Sequence, residues 1–395
     1  MNAALLRAWW SARQGLDGSM AGARPAEVLA RTGWIRSVGG ASPYLALHAR
    51  AGLGRAAVDA AVAAQEVHEL PSARGCTYVL PAQHYALGLR AGQGFGDAAQ
   101  IATAKKHLGV TDTELDVLCG SVMEVSSSGP LDPRALKERL GDRVRNLGAE
   151  GKKRGTTTTL PLALGRLQGL GEIRRVPLDG RLDRQRYAYM RWSPSPLVAD
   201  TRTEREVATE LARLYFTWIG PASLPQLQWF TGWGVGAAKQ AVAPLGLVPL
   251  EPGSDQLLLP VDHEALHTFR VPAEEQVSLV SSLDGLTLLR REVGPLVDPE
   301  DAERSAAAER GLTATGALSD LPHHAILDRG RLVGFWEWDG LAGRMITKTF
   351  QPATAAIRAA IERTTAYILS DLGDVRSFSL DSPESRTERI QALSR

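Results

Sequence analysis

The chain has 395 residues, 44% of them hydrophobic, with 45 Lys+Arg against 44 Asp+Glu for a net charge of +1. That length supports two or three domains with sizeable cores, and the ordinary apolar content excludes a disordered or collagen-like chain. No run of eighteen apolar residues is present, which argues against a membrane-spanning helix.

In chain order, a helix is expected over Ala3 to Arg13, ending at Gly15-Leu16-Asp17-Gly18. Pro25, a good first-turn residue, opens a second through Val28, Leu29 and Thr32. Trp34-Ile35-Arg36-Ser37-Val38-Gly39-Gly40 then leads into a third helix, Tyr44 to Arg50. The two glycines permit close backbone approach, whether to an anion at the following helix N-terminus or within a tight structural turn. An alanine-rich helix follows over 55–66, and His68 to Leu80 reads as a pair of short strands. With a helical connector over 81–110, residues 1–110 form a first winged-helix unit.

Residues 111–198 repeat the pattern. Thr111, with Glu114 three residues on, is a capping box, and Pro130-Leu131-Asp132-Pro133 opens the helix Arg134 to Leu140. Lys152-Lys153-Arg154-Gly155 is a basic turn before four threonines, 156–159, any of which can cap a helix. Leu160, Leu164 and Leu167 make one apolar helical face, with Arg166 and Gln168 off it. Two strands follow, joined around Asp179-Gly180 and bearing Arg174, Arg175, Arg181, Arg184 and Arg186. A helix followed by an arginine-rich hairpin is the layout of a winged helix, in which the helix enters a groove and the hairpin rests on phosphates. Residues 134–191 hold 15 Lys+Arg and 6 Asp+Glu, a net of +9 in a chain whose remainder is −8. Such a block is an electrostatic footprint for a polyanion; a solvated basic face without a partner is the alternative. Lys152, Lys153, Arg154, Thr158, Arg166 and the five hairpin arginines are the candidate DNA contacts.

A third unit, 199–265, begins with an amphipathic helix from Glu204 to Trp218. It closes with strands at Gly246 to Leu250 and Gln256 to Pro260. From residue 266 to 395 the pattern changes to strands at Val277 to Val280, Ala325 to Asp328, Arg331 to Trp338 and Arg344 to Phe350, then a helix from Ala353. This pattern predicts a β-rich α+β domain with the outline of a partial barrel and a loose polar end from Ser382 to Arg395. The expected fold class is thus mostly α with β wings: three tandem winged helices and a C-terminal β-rich domain. No metal or cofactor is expected. His263 and His267 stand four apart without a third ligand, and Gly232-Trp233-Gly234-Val235-Gly236 lacks the Lys-Ser/Thr of a phosphate loop. Cys76 and Cys119 form no CxxC pair, and Met1 to Arg7 lacks a signal-peptide core; both fit a cytoplasmic, nucleoid-associated protein.

These elements resemble the winged-helix DNA glycosylases known as AlkZ-like and YcaQ-like. The resemblance rests on Arg74-Gly75-Cys76-Thr77, Gly220-Pro221-Ala222, Trp229-Phe230-Thr231-Gly232-Trp233, Leu283-Asp284-Gly285 and Arg331-Leu332-Val333-Gly334-Phe335-Trp336, taken in order along nearly the whole chain. It implies a DNA-repair protein that hydrolyses the N-glycosidic bond of alkylated or crosslinked bases in duplex DNA. Members carry Gln-x-Gln or Gln-x-Asp before a Pro-Tyr helix; lining up Pro43-Tyr44 places Arg36-Ser37-Val38 there. Arg36 would oppose a cationic sugar and Val38 can hold no water. Shifting the alignment by two residues offers Ser37 or Ser42. Asp284 and Glu337 come from the β domain, Asp284 being equally a turn residue before Gly285. The catalytic candidates by position are Arg36, Ser37, Ser42 and Asp284. Two other readings stand beside the enzyme: a non-catalytic DNA-binding protein acting as lesion sensor, architectural factor or regulator, and a protein-docking scaffold, which would have no need of the basic block.

Overall fold

Helices begin where short polar side chains can satisfy the first turn. Asn2, Thr111, Asp132, Thr203, Ser223 and Thr354 each accept a hydrogen bond from a backbone N–H two or three residues on. The structure, a computed structural model, describes residues 2–308 and 311–394. It is a mixed α/β chain, helical over about half its length, with small antiparallel sheets.

The first segment runs α1 (Ala3–Arg13), α2 (Pro25–Thr32), β1 (Ile35–Arg36), α3 (Ser42–Ala51), α4 (Arg55–Ala63), β2 (Val67–Pro71) and β3 (Thr77–Pro81). Its strands pair antiparallel in the order β1-β3-β2, with Ile35 and Glu69 flanking Val79 from either side. After α5 (Tyr85–Gly92) and α6 (Asp97–Leu108) come α7 (Asp112–Val125), α8 (Pro133–Leu140), α9 (Gly148–Lys153), α10 (Leu160–Gly169) and the hairpin β4 (Ile173–Pro177) and β5 (Tyr187–Arg191). Leu131 bridges to Tyr189 on the free edge of β5. The next segment is α11 (Glu204–Ile219), α12 (Leu224–Thr231), α13 (Val235–Val242), β6 (Val248–Pro249) and β7 (Leu257–Leu258), with Ala222 bridged to Leu257. One order therefore recurs three times: a helix, one or two extended residues, further helices, then a hairpin whose second strand lies in the middle. The leading strand is too short to carry a period-two pattern, and the strands expected at 246–250 and 256–260 shrink to two residues each because Pro260 opens a helix, α14 (Pro260–Thr268).

The remainder holds β8 (Val277–Val280), a single-turn helix α15 (Gly285–Leu288), the pair β9 (Ser305–Ala308) and β10 (Gly311–Ala314), then β11 (His324–Asp328), β12 (Arg331–Asp339), β13 (Arg344–Thr349), α16 (Ala355–Tyr367) and α17 (Thr387–Ser394). The large sheet is open, ordered β13-β12-β11-β8, rather than a barrel. The chain end is not loose. Arg386 is fully buried and its guanidinium binds both oxygens of Asp374 at 2.7 and 2.8 Å and the Val375 carbonyl at 2.7 Å. A long cationic side chain reads as surface in sequence, and the carboxylates of Asp374 and, at 3.8 Å, Asp381 make its burial possible.

Two cores tie the segments together. Trp34 packs among Trp218, Phe230 and Tyr78 with ring centroids 5.4 to 6.2 Å apart, joining the first and third segments. Ile35, Val79 and Leu182 share the other core with Trp336 and Trp338, so the tip of the β4–β5 hairpin is anchored between the first sheet and the C-terminal one.

Three buried histidines give this packing an acid limit. His84 Nδ1 accepts from Trp34 Nε1 at 3.1 Å and His324 Nδ1 from the Ser282 N–H at 2.9 Å, so these nitrogens must be unprotonated. Burial pulls His84 and His324 down to about 4, and burial with the Arg174 and Arg175 charges pulls His68 to about 3. Their folded values lie below the unfolded value of about 6.5, so unfolding takes up protons below that pH. This share of stability is complete above about pH 6.5 and is lost as pH falls towards 4. The melting midpoint should be level above that pH and drop steeply below it, less so in His84→Asn. A midpoint that holds down to pH 4 would mean the rings are not buried as neutral groups.

Candidate functional site

Strand alternation separates the residues at the expected catalytic position. Arg36 faces Tyr78, its guanidinium 5.6 Å from the ring centroid. Ser37 turns to the opposite face, where its backbone N–H donates to the Thr77 carbonyl at 3.0 Å and its hydroxyl donates to Glu69 Oε1. Glu69 is 4% exposed, and its Oε2 makes no close hydrogen bond but faces the Tyr187 hydroxyl. The hairpin of the second segment covers it with Arg175 and Tyr187, the guanidinium 5.2 Å from the Tyr187 ring. Burial opposes the Arg175 charge, but Glu69 and the neighbouring tyrosines outweigh it and hold the guanidinium above its usual value. Burial and then the Glu69 charge raise the Tyr187 phenol.

The Gly39-Gly40 turn approaches its own chain. Gly39 has φ +76°, and a Cβ there would lie 2.2 to 2.5 Å from the Gln185 side chain. At Gly40 a Cβ would meet the Arg376 and Ser377 carbonyl oxygens at 2.5 Å. The Ala41 N–H donates to Arg376 O at 2.7 Å, so the start of α3 is closed by the C-terminal segment. Ser42 pairs with Ser281 at 2.7 Å and is buried away from Ser37's partner. Asp284 is buried completely: Arg50 donates to both its oxygens at 2.7 and 2.9 Å, and it caps α15 through the Leu286 N–H at 3.0 Å. Glu337 accepts from Arg389 and lies 2.9 Å from His323 Nδ1; burial would raise it, but the hydrogen bond with His323 and the Arg389 charge and hydrogen bond bring it down to about 2. Of the positional candidates, Ser37 is the one whose hydroxyl binds a carboxylate.

Between the first and second segments lies a cavity of about 510 Å³, walled by Thr77, Phe95, Gln100, Lys137, Thr158 and Arg175 among others. Lys152, Lys153 and Arg154 stand exposed at the end of α9; Glu150 is 2.8 Å from Arg154 and 3.9 Å from Lys153. Arg184 and Arg186 are exposed at the hairpin tip. The other expected contacts are engaged within the protein. Arg166 pairs with Asp116 at 2.9 Å. Arg181 pairs with Asp183 at 2.5 Å and donates to Leu372 O at 3.1 Å. Arg174 and Arg175 point into the first segment, where burial lowers Arg174 and both repel a proton from His68. The hairpin therefore clasps the first segment with Arg174 and Arg175, ties Arg181 to its own Asp183 and to Leu372, and presents the other two. None of the four threonines caps α10 with its side chain; the Thr159 hydroxyl accepts from the Arg145 N–H at 3.1 Å instead.

The short motifs noted in the sequence mark close packing. Arg74 and Arg291 sandwich the Trp229 ring at 3.5 and 3.7 Å from its centroid. A Cβ on Gly232 would strike Phe95 and Arg74 within 3.0 Å, and one on Gly334 would strike the Lys348 carbonyl at 2.6 Å. Sequence reading missed Glu69 and Gln185. A carboxylate in the middle of the strand His68-Glu69-Leu70 was the available signal, since a charge at a position the sheet buries needs a reason. Among the described residues no three His, Cys, Asp or Glu side chains group as a metal would require, and no helix is long and apolar enough to cross a membrane.

The chain belongs to the AlkZ-like DNA glycosylase family, whose sequence profile matches residues 29–369. Its fold is similar to that of the Streptomyces sahachiroi DNA glycosylase AlkZ, with a TM-score of 0.68 over 93% of this chain and 97% of that one at 17% identity. No curated protein sequence matches the chain.

Proposed function

We propose that this protein binds duplex DNA through three winged-helix units and releases alkylated or crosslinked bases by hydrolysing the N-glycosidic bond. The thrice-repeated strand order, with its short leading strand, supports the winged-helix reading, and family membership supports the substrate class. The observation that carries the proposal is the cavity of about 510 Å³ between the first and second segments, lined by polar and apolar groups alike and by the exposed Lys137. Its size falls within the range of small-ligand pockets and suits an extruded nucleotide. One observation favours a second reading, DNA binding without excision: Arg36 and Val38 stand where the family resemblance places its polar pair.

Base release from a duplex containing 7-methylguanine, measured beside binding to the same duplex, separates the two. Release above the spontaneous rate supports excision; tight binding without release supports a sensor or architectural protein.

A further inference from the structure

We infer that Glu69, oriented by Ser37, is the group that takes the proton of the attacking water, an assignment that rests on the excision reading above. Family membership offers no carboxylate at this place, because Arg36-Ser37-Val38 occupies the motif position. Across the sheet, however, β2 places Glu69 opposite Val79, on the face to which Ser37 turns. The carboxylate has one oxygen fixed by the Ser37 hydroxyl, while the other, Oε2, makes no close hydrogen bond and faces the Tyr187 hydroxyl and Arg175. A buried carboxylate oxygen without a close hydrogen bond calls for an explanation, and a catalytic role is one. The other buried carboxylates are occupied: Asp284 by Arg50 and a helix N-terminus, Glu337 by His323 and Arg389.

The chemistry balances. The water oxygen bonds to the sugar C1′ as the C1′–N bond breaks, and that bond's electron pair leaves with the base. An N7-alkylated purine already carries a positive charge, so the electron pair neutralises it and no acid is required. The water proton passes to Glu69, whose negative charge also faces the cationic sugar forming in the transition state. Access runs past the two hairpin side chains that cover Glu69, Arg175 and Tyr187. Arg175 both faces Glu69 and lines the cavity, and Thr77, bonded to Ser37 through its carbonyl, lines it too. Neither Glu69 nor Ser37 lines the cavity in this structure, so Arg175 must swing aside when a nucleotide enters.

The test uses the full chain and two readouts: single-turnover release of 7-methylguanine, and affinity for a duplex with a cationic pyrrolidine abasic analogue relative to a neutral tetrahydrofuran one. Glu69→Gln is expected to slow release by about 100-fold or more while undamaged duplex binds as before. It should also remove the wild-type preference for the cationic analogue. Ser37→Ala, which leaves the carboxylate charged and its surroundings packed, should weaken both by about tenfold, and it serves if melting shows Glu69→Gln to be unfolded. Release by Glu69→Gln within about threefold of wild type would overturn the assignment and leave excision standing. Wild-type protein that releases no base yet prefers the cationic duplex through Glu69 would discard 7-methylguanine as substrate and keep the assignment. Neither release nor preference would make Glu69 a structural partner of Arg175 and overturn the inference.

Discussion

Asp284→Ala should lower the unfolding free energy by about 3–5 kcal/mol, far more than a catalytic substitution requires. The Arg50 guanidinium donates to both Asp284 oxygens, to Gln14 Oε1 at 2.9 Å and to the Ala46 carbonyl at 3.2 Å, all in the interior. Gln14 in turn donates to the Thr32 and Trp218 carbonyls at 2.7 and 2.9 Å. Removing the carboxylate strands a buried positive charge at the junction of three segments, and α15 loses its cap. Asp284→Asn keeps the cap and much of the volume but not the charge, so it should fall between. Chemical denaturation of the three proteins measures the order. A loss below about 1 kcal/mol accompanied by lost base release would return Asp284 to the reaction centre.

The contrast between Asp284 and Glu69 shows where sequence reading succeeds. Local signals held: the α1 boundaries, Pro25 at the start of α2, the Thr111 cap and the two strands ending the first segment are all determined by residues within a few positions of one another. The turn chemistry of Leu283-Asp284-Gly285 was equally local, and its cap is present. What could not be read depends on partners far along the chain. Glu69 matters because Ser37 lies 32 residues before it and Arg175 much later. Arg386 looked like tail until Asp374 and the Trp338 carbonyl enclosed it. Gly39-Gly40 suggested a bound anion as readily as a turn, and the close approach turned out to be Gln185 and two carbonyls of the chain itself. The arginine-rich hairpin was legible as a hairpin and as basic. Which arginines face outward was not, because that depends on the sheet it rests against.

That orientation yields the other large expected effect. Each lysine or arginine that neutralises a DNA phosphate contributes about 0.9 to the slope of log affinity against log salt. The double variants Lys152→Ala/Lys153→Ala and Arg184→Ala/Arg186→Ala should each reduce the slope on undamaged duplex by about two. The four together should reduce it by nearly four, at little cost in stability, since all four side chains are exposed. Arg174→Ala/Arg175→Ala should do the reverse. These side chains lie against His68, Glu69 and Tyr187, so their loss should lower the melting midpoint and leave the slope within about one unit. Binding curves from about 50 to 200 mM salt decide the matter. A fall of two units for the inner pair would mean that the hairpin leaves the first sheet whenever DNA is bound. No change for the outer pairs would move the interface off α9 and the hairpin tip altogether.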